Sequence, residues 1–422
     1  MGTAAGNKAF KLTRPHAIAA RRILDAAARG ISPIANVMAA PPTITQAASD
    51  GANSTIIAGS TIALGGGRFN AENPLHATLI GGPISAGRMQ TVTFSGSSRK
   101  QGHSNGVAVQ TYSTVIDFCL RANGGRVIFY VTDCATGVRA RVQATTDIAA
   151  TYSAANYYKL DFGGTPTLRI IEAYTFGSGN YFGINVPLTH SVWPAVINQP
   201  RLAAIWDSYG EGSMNNATNS LKLATLDYWA AGLGCNNVFA NALGSTGVMA
   251  DAAGTAVNYL GRLNNGDFDV SRVGNFDLIL VGGTINDNNP ANNGIASPAG
   301  DATFQAAYTA FIRAFMLKQP NAIFVGTGPE LPSSGPPPQT RFDVTRAGFL
   351  AAAGGDPRMI YRDNSATGEN WMFGNTASGI NSIILGTGSG DNIHPLDVTG
   401  TQYLGERMAR STIAGIRAAY GL

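Results

Sequence analysis

"LAAIWDSYGEGS", residues 202–213, is the stretch on which the reading of the fold turns. An apolar run ends at Trp206, and Asp207, Ser208 and the glycines at 210 and 212 follow at once. A short apolar run bounded by turn residues suits a strand buried on both faces, the kind found in parallel sheets. Ser208 would then stand at the carboxyl end of a strand, where α/β sheets bind their ligands. The same residues would also serve an ordinary polar turn. What decides is whether the rest of the chain supplies a base, an orienting acid and donors for an oxyanion.

Downstream, the pattern alternates between strand and helix. "NVFA" (237–240), "DLILVGG" (277–283), "AIFVG" (322–326) and "RMIYRD" (358–363) read as further strands. Between them lie helical stretches such as "SLKLATLDYWAAGL" and "TFQAAYTAFIRAFMLK". The second spaces Phe304, Tyr308, Phe311, Ile312 and Phe315 as a buried helix face. Five strands with intervening helices predict a three-layer α/β/α domain with a parallel sheet over residues 201–422.

Upstream, the rhythm differs. "TVIDFCLRANGGRVIFYVTD" alternates around an Asn-Gly-Gly turn, and "YYKLDFG", "LRIIEAYTF" and "YFGINV" follow as short strands. That spacing predicts a β-sandwich of jelly-roll type over 91–200, ending in a linker with prolines at 187, 194 and 200. Residues 1–90 read as a short amphipathic helix over 15–30, with Ile18, Ile23, Leu24 and Ala27 on its apolar side, and then an extended arm or a small β element with β-prone pieces such as "STIIAGSTIAL". Such an arm would suit oligomerisation or attachment to a larger assembly.

Composition narrows the function classes. Of 422 residues, 44% are hydrophobic and 13% charged, with a net charge of +4 and no dense basic run. No nucleic-acid partner is expected. Cys119, Cys134 and Cys235 form no disulfide framework, and a Cys119–Cys134 bridge is not favoured if Asn123-Gly124-Gly125 turns a hairpin. No Cys/His cluster has zinc-ligand spacing, so neither metal nor cofactor is expected. Arg21-Arg22 is followed by too little apolar sequence for twin-arginine export, and no stretch reaches the ~20 apolar residues of a membrane span. The chain reads as a soluble protein of open location, extracellular and virion-associated settings included.

A serine hydroxyl needs a base within hydrogen-bonding reach and a group to orient that base. Of five histidines, only His394 falls in the α/β region, in "GSGDNIHPLD", with Asp391 three residues before it. A turn there can fold the Asp391 carboxylate onto one ring nitrogen and leave the other for Ser208, a plain loop hydrogen bond being the alternative for such a pair. Donors for an oxyanion come from two more strand ends. Asn286 lies in "GGTINDNN", where an Asx-turn is the plainer alternative. Gly244 lies in "FANALGSTG", where a simple glycine turn is the alternative.

Together these blocks resemble the SGNH hydrolases, the GDSL esterase/lipase superfamily. The resemblance covers about residues 201–422 and rests on Ser208 with Gly212, then Gly244, then Asn286 with Asp287, then Asp391 with His394. It implies that Ser208 is the nucleophile, His394 the base and Asp391 its orienter. It also implies an oxyanion hole from the Ser208 N–H, the Gly244 N–H and the Asn286 amide. Two positions depart from the family pattern. Trp206 stands where Gly usually precedes Asp-Ser, so the backbone there must run at ordinary φ. Its side chain either packs under the nucleophile or lines the pocket, packing being favoured. Thr284 takes the place of the Gly before Asn-Asp, unless a residue is inserted after Gly283. An α/β-hydrolase elbow would need Gly at 206.

A jelly-roll ahead of such a domain resembles bacterial and phage-tailspike carbohydrate O-acetylesterases. Tyr157, Tyr158, Tyr181 and Trp193 are candidates for stacking on sugars, at least half of them being expected in the core. The long loops "NDNNPANNGIASPAGD" and "GPELPSSGPPPQTR" are polar and offer no apolar lid. The expected activity is therefore removal of acetyl or another short acyl group from a carbohydrate. A broad short-chain esterase, lipase or thioesterase is the alternative within enzymes. An inactive glycan-binding or virion structural protein is the alternative outside them.

Overall fold

The computed structural model describes residues 15–31, 37–47, 78–80, 89–90, 104–121, 126–142, 148–149, 156–176, 180–187, 190–195, 198–211, 224–236, 238–251, 258–288, 300–330, 339–372, 378–385 and 393–422. They form two compact units. One comprises 1–33, 199–218 and 223–422, and the other 34–198 with 219–222.

The β-rich unit holds twelve strands among the described residues: β1 (Thr43–Ala47), β2 (Thr78–Ile80), β3 (Met89–Gln90), β4 (Ser104–Thr111), β5 (Val115–Arg121), β6 (Arg126–Asp133), β7 (Arg139–Arg141), β8 (Ile148–Ala149), β9 (Asn156–Asp161), β10 (Arg169–Phe176), β11 (Asn180–Asn185) and β12 (Val192–Pro194). One antiparallel sheet runs β1-β9-β5-β11-β3. The other runs β12-β4-β10-β6-β7, with β2 on β4 and β8 on β6. Alternate residues of both sheets meet in one core, where Ile116, Phe118 and Tyr158 face Phe129, Val131 and Ile171.

β5 and β6 do not form the expected hairpin, because they belong to different sheets. Phe118 and Phe129 instead meet across the core, with ring centroids 5.4 Å apart. Burying both apolar faces against each other satisfies the alternation as well as a hairpin would. Cys134 and Cys235 are free thiols. Tyr157 and Tyr158 are core residues rather than sugar platforms, while Trp193 is half-buried and the Tyr181 side chain lies outside the described residues.

The α/β unit carries β13 (Leu202–Trp206), β14 (Val238–Ala242), β15 (Leu278–Val281), β16 (Ile323–Thr327) and β17 (Met359–Arg362). They form one parallel sheet in the order β14-β13-β15-β16-β17. Its helices, in chain order, are α1 (Pro15–Arg29), α2 (Ser208–Glu211), α3 (Thr225–Gly232), α4 (Tyr259–Asn264), α5 (Val270–Val273), α6 (Asp301–Lys318), α7 (Gln339–Ala353), α8 (Ile380–Ile384) and α9 (Val398–Tyr420).

All five residues of β13 are buried, and their alternation sorts the two helical layers. Leu202, Ala204 and Trp206 pack with α1, α3 and α9. Ala203 and Ile205 pack with α4, α6 and the distal half of α7. Phe304, Tyr308, Phe311, Ile312 and Phe315 are fully buried on α6, as their spacing predicted. Strand order reverses beside β13, so the topological switch point lies where β13 and β15 end.

The N-terminal helix is no part of an arm. It belongs to the α/β unit, and its buried face is Ala17, Ala20, Ile23 and Ala26, with Ile18 exposed. Alanines outcompete the larger side chains because they let the helix backbone come close. The His16 ring meets the Tyr420 hydroxyl at 3.1 Å, and Arg22 pairs with Asp277 at 3.0 Å. At Gly234, with φ of +72°, an added Cβ would lie 2.0 Å from the Ala26 carbonyl oxygen. The strands β1 to β3, where an extended arm or a small β element was expected, join the β-rich unit.

Gly234→Ala is therefore expected to lift α1 from its seat, at a cost of at least about 2 kcal/mol. Thermal unfolding will read that loss. Limited trypsinolysis will show faster cleavage at Arg21 and Arg22 than in the wild type.

Candidate active site

The carboxyl ends of β13 and β14 assemble around a buried arginine. Arg262 donates from Nη1 to the Asn241 carbonyl at 2.7 Å and to its Oδ1 at 2.9 Å. From Nη2 it donates to the Trp206 carbonyl at 3.2 Å and the Thr246 hydroxyl at 3.0 Å. One guanidinium thus ties together the two strand ends that lead to Ser208 and to Gly244.

Trp206 ends β13 in register with Ala242, in regular strand pairing. Its indole is buried, and glycines on neighbouring segments make the room. A Cβ at Gly282 would meet the indole at 2.6 Å, one at Gly283 at 2.8 Å, and one at Gly210 would meet the Trp206 Cβ at 2.5 Å. Trp206 therefore packs beneath the serine turn, in the favoured of the two orientations. Its Nε1 donates to Glu330 Oε1 at 2.9 Å.

Asp207 is fully buried and Ser208, the first residue of α2, is half-buried. Asp207 Oδ1 accepts the Tyr209 N–H at 3.0 Å and closes the turn under Ser208. Burial pushes the Asp207 carboxyl up to about 7, with repulsion from Asp287 adding to the rise and the Tyr209 N–H and Arg262 opposing it.

Asn286 lies in a 3₁₀ turn, Ile285–Asn288, just beyond β15. Its Nδ2 donates to the Thr246 carbonyl at 3.1 Å and stands 3.5 Å from Asp207 Oδ2. The side chain so joins all three strand ends, beyond what a local Asx-turn would do. Thr284 is fully buried at φ 134°, a conformation suited to glycine. Holding a β-branched residue there costs about 1–3 kcal/mol of backbone strain. Asp287 accepts the N–H groups of Val248, Met249 and Ala250 at 2.9, 2.6 and 2.8 Å. A Cβ at Gly247 would strike this carboxylate at 2.3 Å. Gly244 is half-buried in the turn that begins where the Leu243 N–H donates to the Trp206 carbonyl, at 3.1 Å.

His394 sits three residues before Asp397, which caps α9 by accepting the Thr399 and Gly400 N–H groups at 2.8 and 3.3 Å. The Tyr209 hydroxyl donates to the Ile393 carbonyl, and the Tyr209 and His394 rings lie 5.8 Å apart. The two neighbours of Ser208 thus hold the other parts of the site, Asp207 beside Asn286 and Tyr209 beside His394. Asp391 and Gly212 lie outside the described residues.

Three solved structures share this architecture over nearly their whole length. A family two carbohydrate esterase from Cellvibrio japonicus matches with a TM-score of 0.55 at 14% identity, over 84% of this chain and 97% of that one. An active-site mutant of a family two carbohydrate esterase from Clostridium thermocellum matches at 0.51 and 16%, over 82% and 99%. The chain has the SGNH-hydrolase fold. A salicylyl-acyltransferase from a tetracycline biosynthetic pathway matches at 0.53 and 12%, over 82% and 96%. At these identities the likeness is one of fold. No protein-family model matches the chain, and no curated protein matches it at a significant level.

Within this candidate site, sequence reading missed Arg262, Tyr209 and Glu330. Arg262 and Tyr209 carry no local signature, being single polar groups in short helical segments. Glu330 follows a proline at the edge of a Pro-rich loop, and only the folded sheet brings it to Trp206.

A carboxyl that titrates higher in the folded chain than in the unfolded one holds its proton more tightly when folded. Its contribution to stability is then full below about pH 4 and falls as pH rises through about 7. Urea unfolding across pH 4 to 7 is expected to show a smaller loss of stability in Asp207→Asn than in the wild type, because the amide cannot ionise.

Proposed function

We propose that this chain is a serine esterase that removes acetyl or other short acyl groups from a carbohydrate. The observation that carries this reading is the convergence on Ser208. Asp207 on one side of it adjoins Asn286, and Tyr209 on the other packs against His394. The fold likeness to two carbohydrate esterases supports the same chemistry.

In this reading Ser208 Oγ attacks the ester carbonyl carbon while His394 takes the hydroxyl proton. Asp391 holds the imidazole in the required tautomer. Negative charge gathers on the carbonyl oxygen, where the Ser208 and Gly244 N–H groups and the Asn286 amide donate to it. Collapse expels the sugar oxygen, which receives the proton from His394 and leaves an acyl group on Ser208. Water then attacks as His394 takes its proton, the acid departs, and Ser208 regains its hydrogen. The polar, glycine-rich composition of the loops after β15 and β16 favours a hydrated sugar ester over a long acyl chain.

Hydrolysis of p-nitrophenyl acetate, butyrate and octanoate tests the proposal. Acetate should be cleaved fastest, and Ser208→Ala should lower kcat by on the order of a million-fold. Asn286→Ala should lower kcat about 100- to 1,000-fold with little change in KM, since its amide acts on charge that develops in the transition state. A wild type inert on all three esters, and unlabelled by a fluorophosphonate, would give the site to a binding protein instead.

A further inference from the structure

Trp206 stands where SGNH sequences usually have glycine, and the structure pairs it with a carboxyl that the esterase reading leaves unused. Glu330 lies just beyond β16 and is 4% exposed. Its Oε1 accepts two hydrogen bonds at once, from Trp206 Nε1 at 2.9 Å and from the Gly283 N–H at 3.2 Å. These donors belong to different strand ends. Trp206 precedes the Asp207–Ser208 turn, and Gly283 precedes Thr284–Asn286.

The support behind Glu330 is rigid. Asn364 accepts the Gly328 N–H at 2.8 Å and donates to the Gly328 and Pro329 carbonyls at 3.3 and 3.0 Å, fixing the segment that carries Glu330. Trp206, Glu330 and Asn364, with Trp371, Met372 and Leu404, enclose a cavity of about 10 Å³. That volume admits about one water and nothing larger. Glu330 Oε2 is buried, and no partner among the described residues reaches it. A charged carboxylate fits this setting poorly, and a neutral carboxyl fits it well.

We propose that Glu330 is a positioning residue that locks the nucleophile strand to the Asn286 loop through its paired acceptance from Trp206 and Gly283. Burial and the nearby Asp207 both raise its proton affinity, which agrees with a neutral acceptor. The consequence reaches the chemistry through two short backbone paths. If Glu330 is removed, two buried donors lose their acceptor. The Trp206 indole is then free to shift against Gly282 and Gly283, and Asn286 moves relative to Ser208. Thr284, already strained, lies between them and transmits the shift. This proposal rests on the esterase reading for its effect on rate, though not for the hydrogen bonds themselves.

The test compares Glu330→Gln and Glu330→Leu in the full chain, with Ser208→Ala as the reference for background. Glutamine retains an oxygen for both donors and resembles the neutral carboxyl. It should keep kcat on p-nitrophenyl acetate within about threefold of wild type. Leucine should lower kcat about 10- to 100-fold with KM within about twofold, as expected when reacting groups are displaced by about an ångström. The indole N–H resonance of Trp206, assigned with Trp206→Phe among the four tryptophans, should move in the leucine variant and stay in the glutamine one. Unchanged kcat in Glu330→Leu, or glutamine as impaired as leucine, overturns the proposal. If wild type and Ser208→Ala are equally inert, the esterase reading fails by itself. The indole resonance and hydrogen exchange at the Gly283 amide then decide the lock, and a leucine variant matching wild type in both would overturn it.

Discussion

The indole of Trp206 fills the space that Gly210, Gly282 and Gly283 leave open, and the carboxyl end of the sheet is organised around that exchange of bulk. A large ring on β13 requires small residues on the serine turn and on the segment after β15. In return it fills the layer beneath both with one rigid side chain. The same ring presents a single donor, and Glu330 receives it. A departure from the family pattern that looks costly in sequence is thus compensated within contact distance. At Thr284 a threonine holds a φ suited to glycine, so the second departure carries backbone strain.

Beneath the proposed catalytic groups lies an unusual density of buried polar atoms. Asp207, Asp287 and Glu330 are all raised by burial, with Arg262 opposing the rise at Asp207 and Arg341 at Asp287. Each has a structural task that an apolar side chain could not perform. Asp287 gathers three backbone N–H groups from the segment after β14, and Arg262 gathers oxygens from β13 and β14. Burying such groups is expensive unless their hydrogen bonds are met. Here they meet the main-chain groups that strand ends leave open, which turns three loose ends into one surface. The β-rich unit uses a similar device, with Arg139 and Glu172 paired through two bonds of 2.8 and 2.9 Å and the ring of Tyr130 lying 3.7 Å beneath the guanidinium.

The N-terminal helix shows how a face can be misjudged. Hydrophobicity favoured Ile18, Ile23 and Leu24, and Ile18 is exposed while Ile23, Leu24 and a row of alanines make the seat against the α/β unit. Close approach of backbones was worth more than the area of one isoleucine. Between an extended arm and a small β element the sequence could not choose, since β1 to β3 are only five, three and two residues long and carry little periodicity. At β5 and β6 the alternation was correct and the pairing was not, because alternation is the same whether two strands lie side by side or face each other.

Local sequence determined the five parallel strands, the aromatic face of α6 and the identity of Ser208, Asn286 and His394 as candidates. Each rests on a pattern within a few residues: an apolar run ended by a turn, a helical period, or a reactive side chain beyond a strand. Tertiary structure alone decided which groups support them. Arg262, Glu330 and Tyr209 act across 56, 124 and 184 positions of chain on the Trp206 carbonyl, the Trp206 indole and the Ile393 carbonyl. Hydrogen bonds of that span leave no trace in neighbouring residues, since they exist only once the sheet has brought the strand ends together.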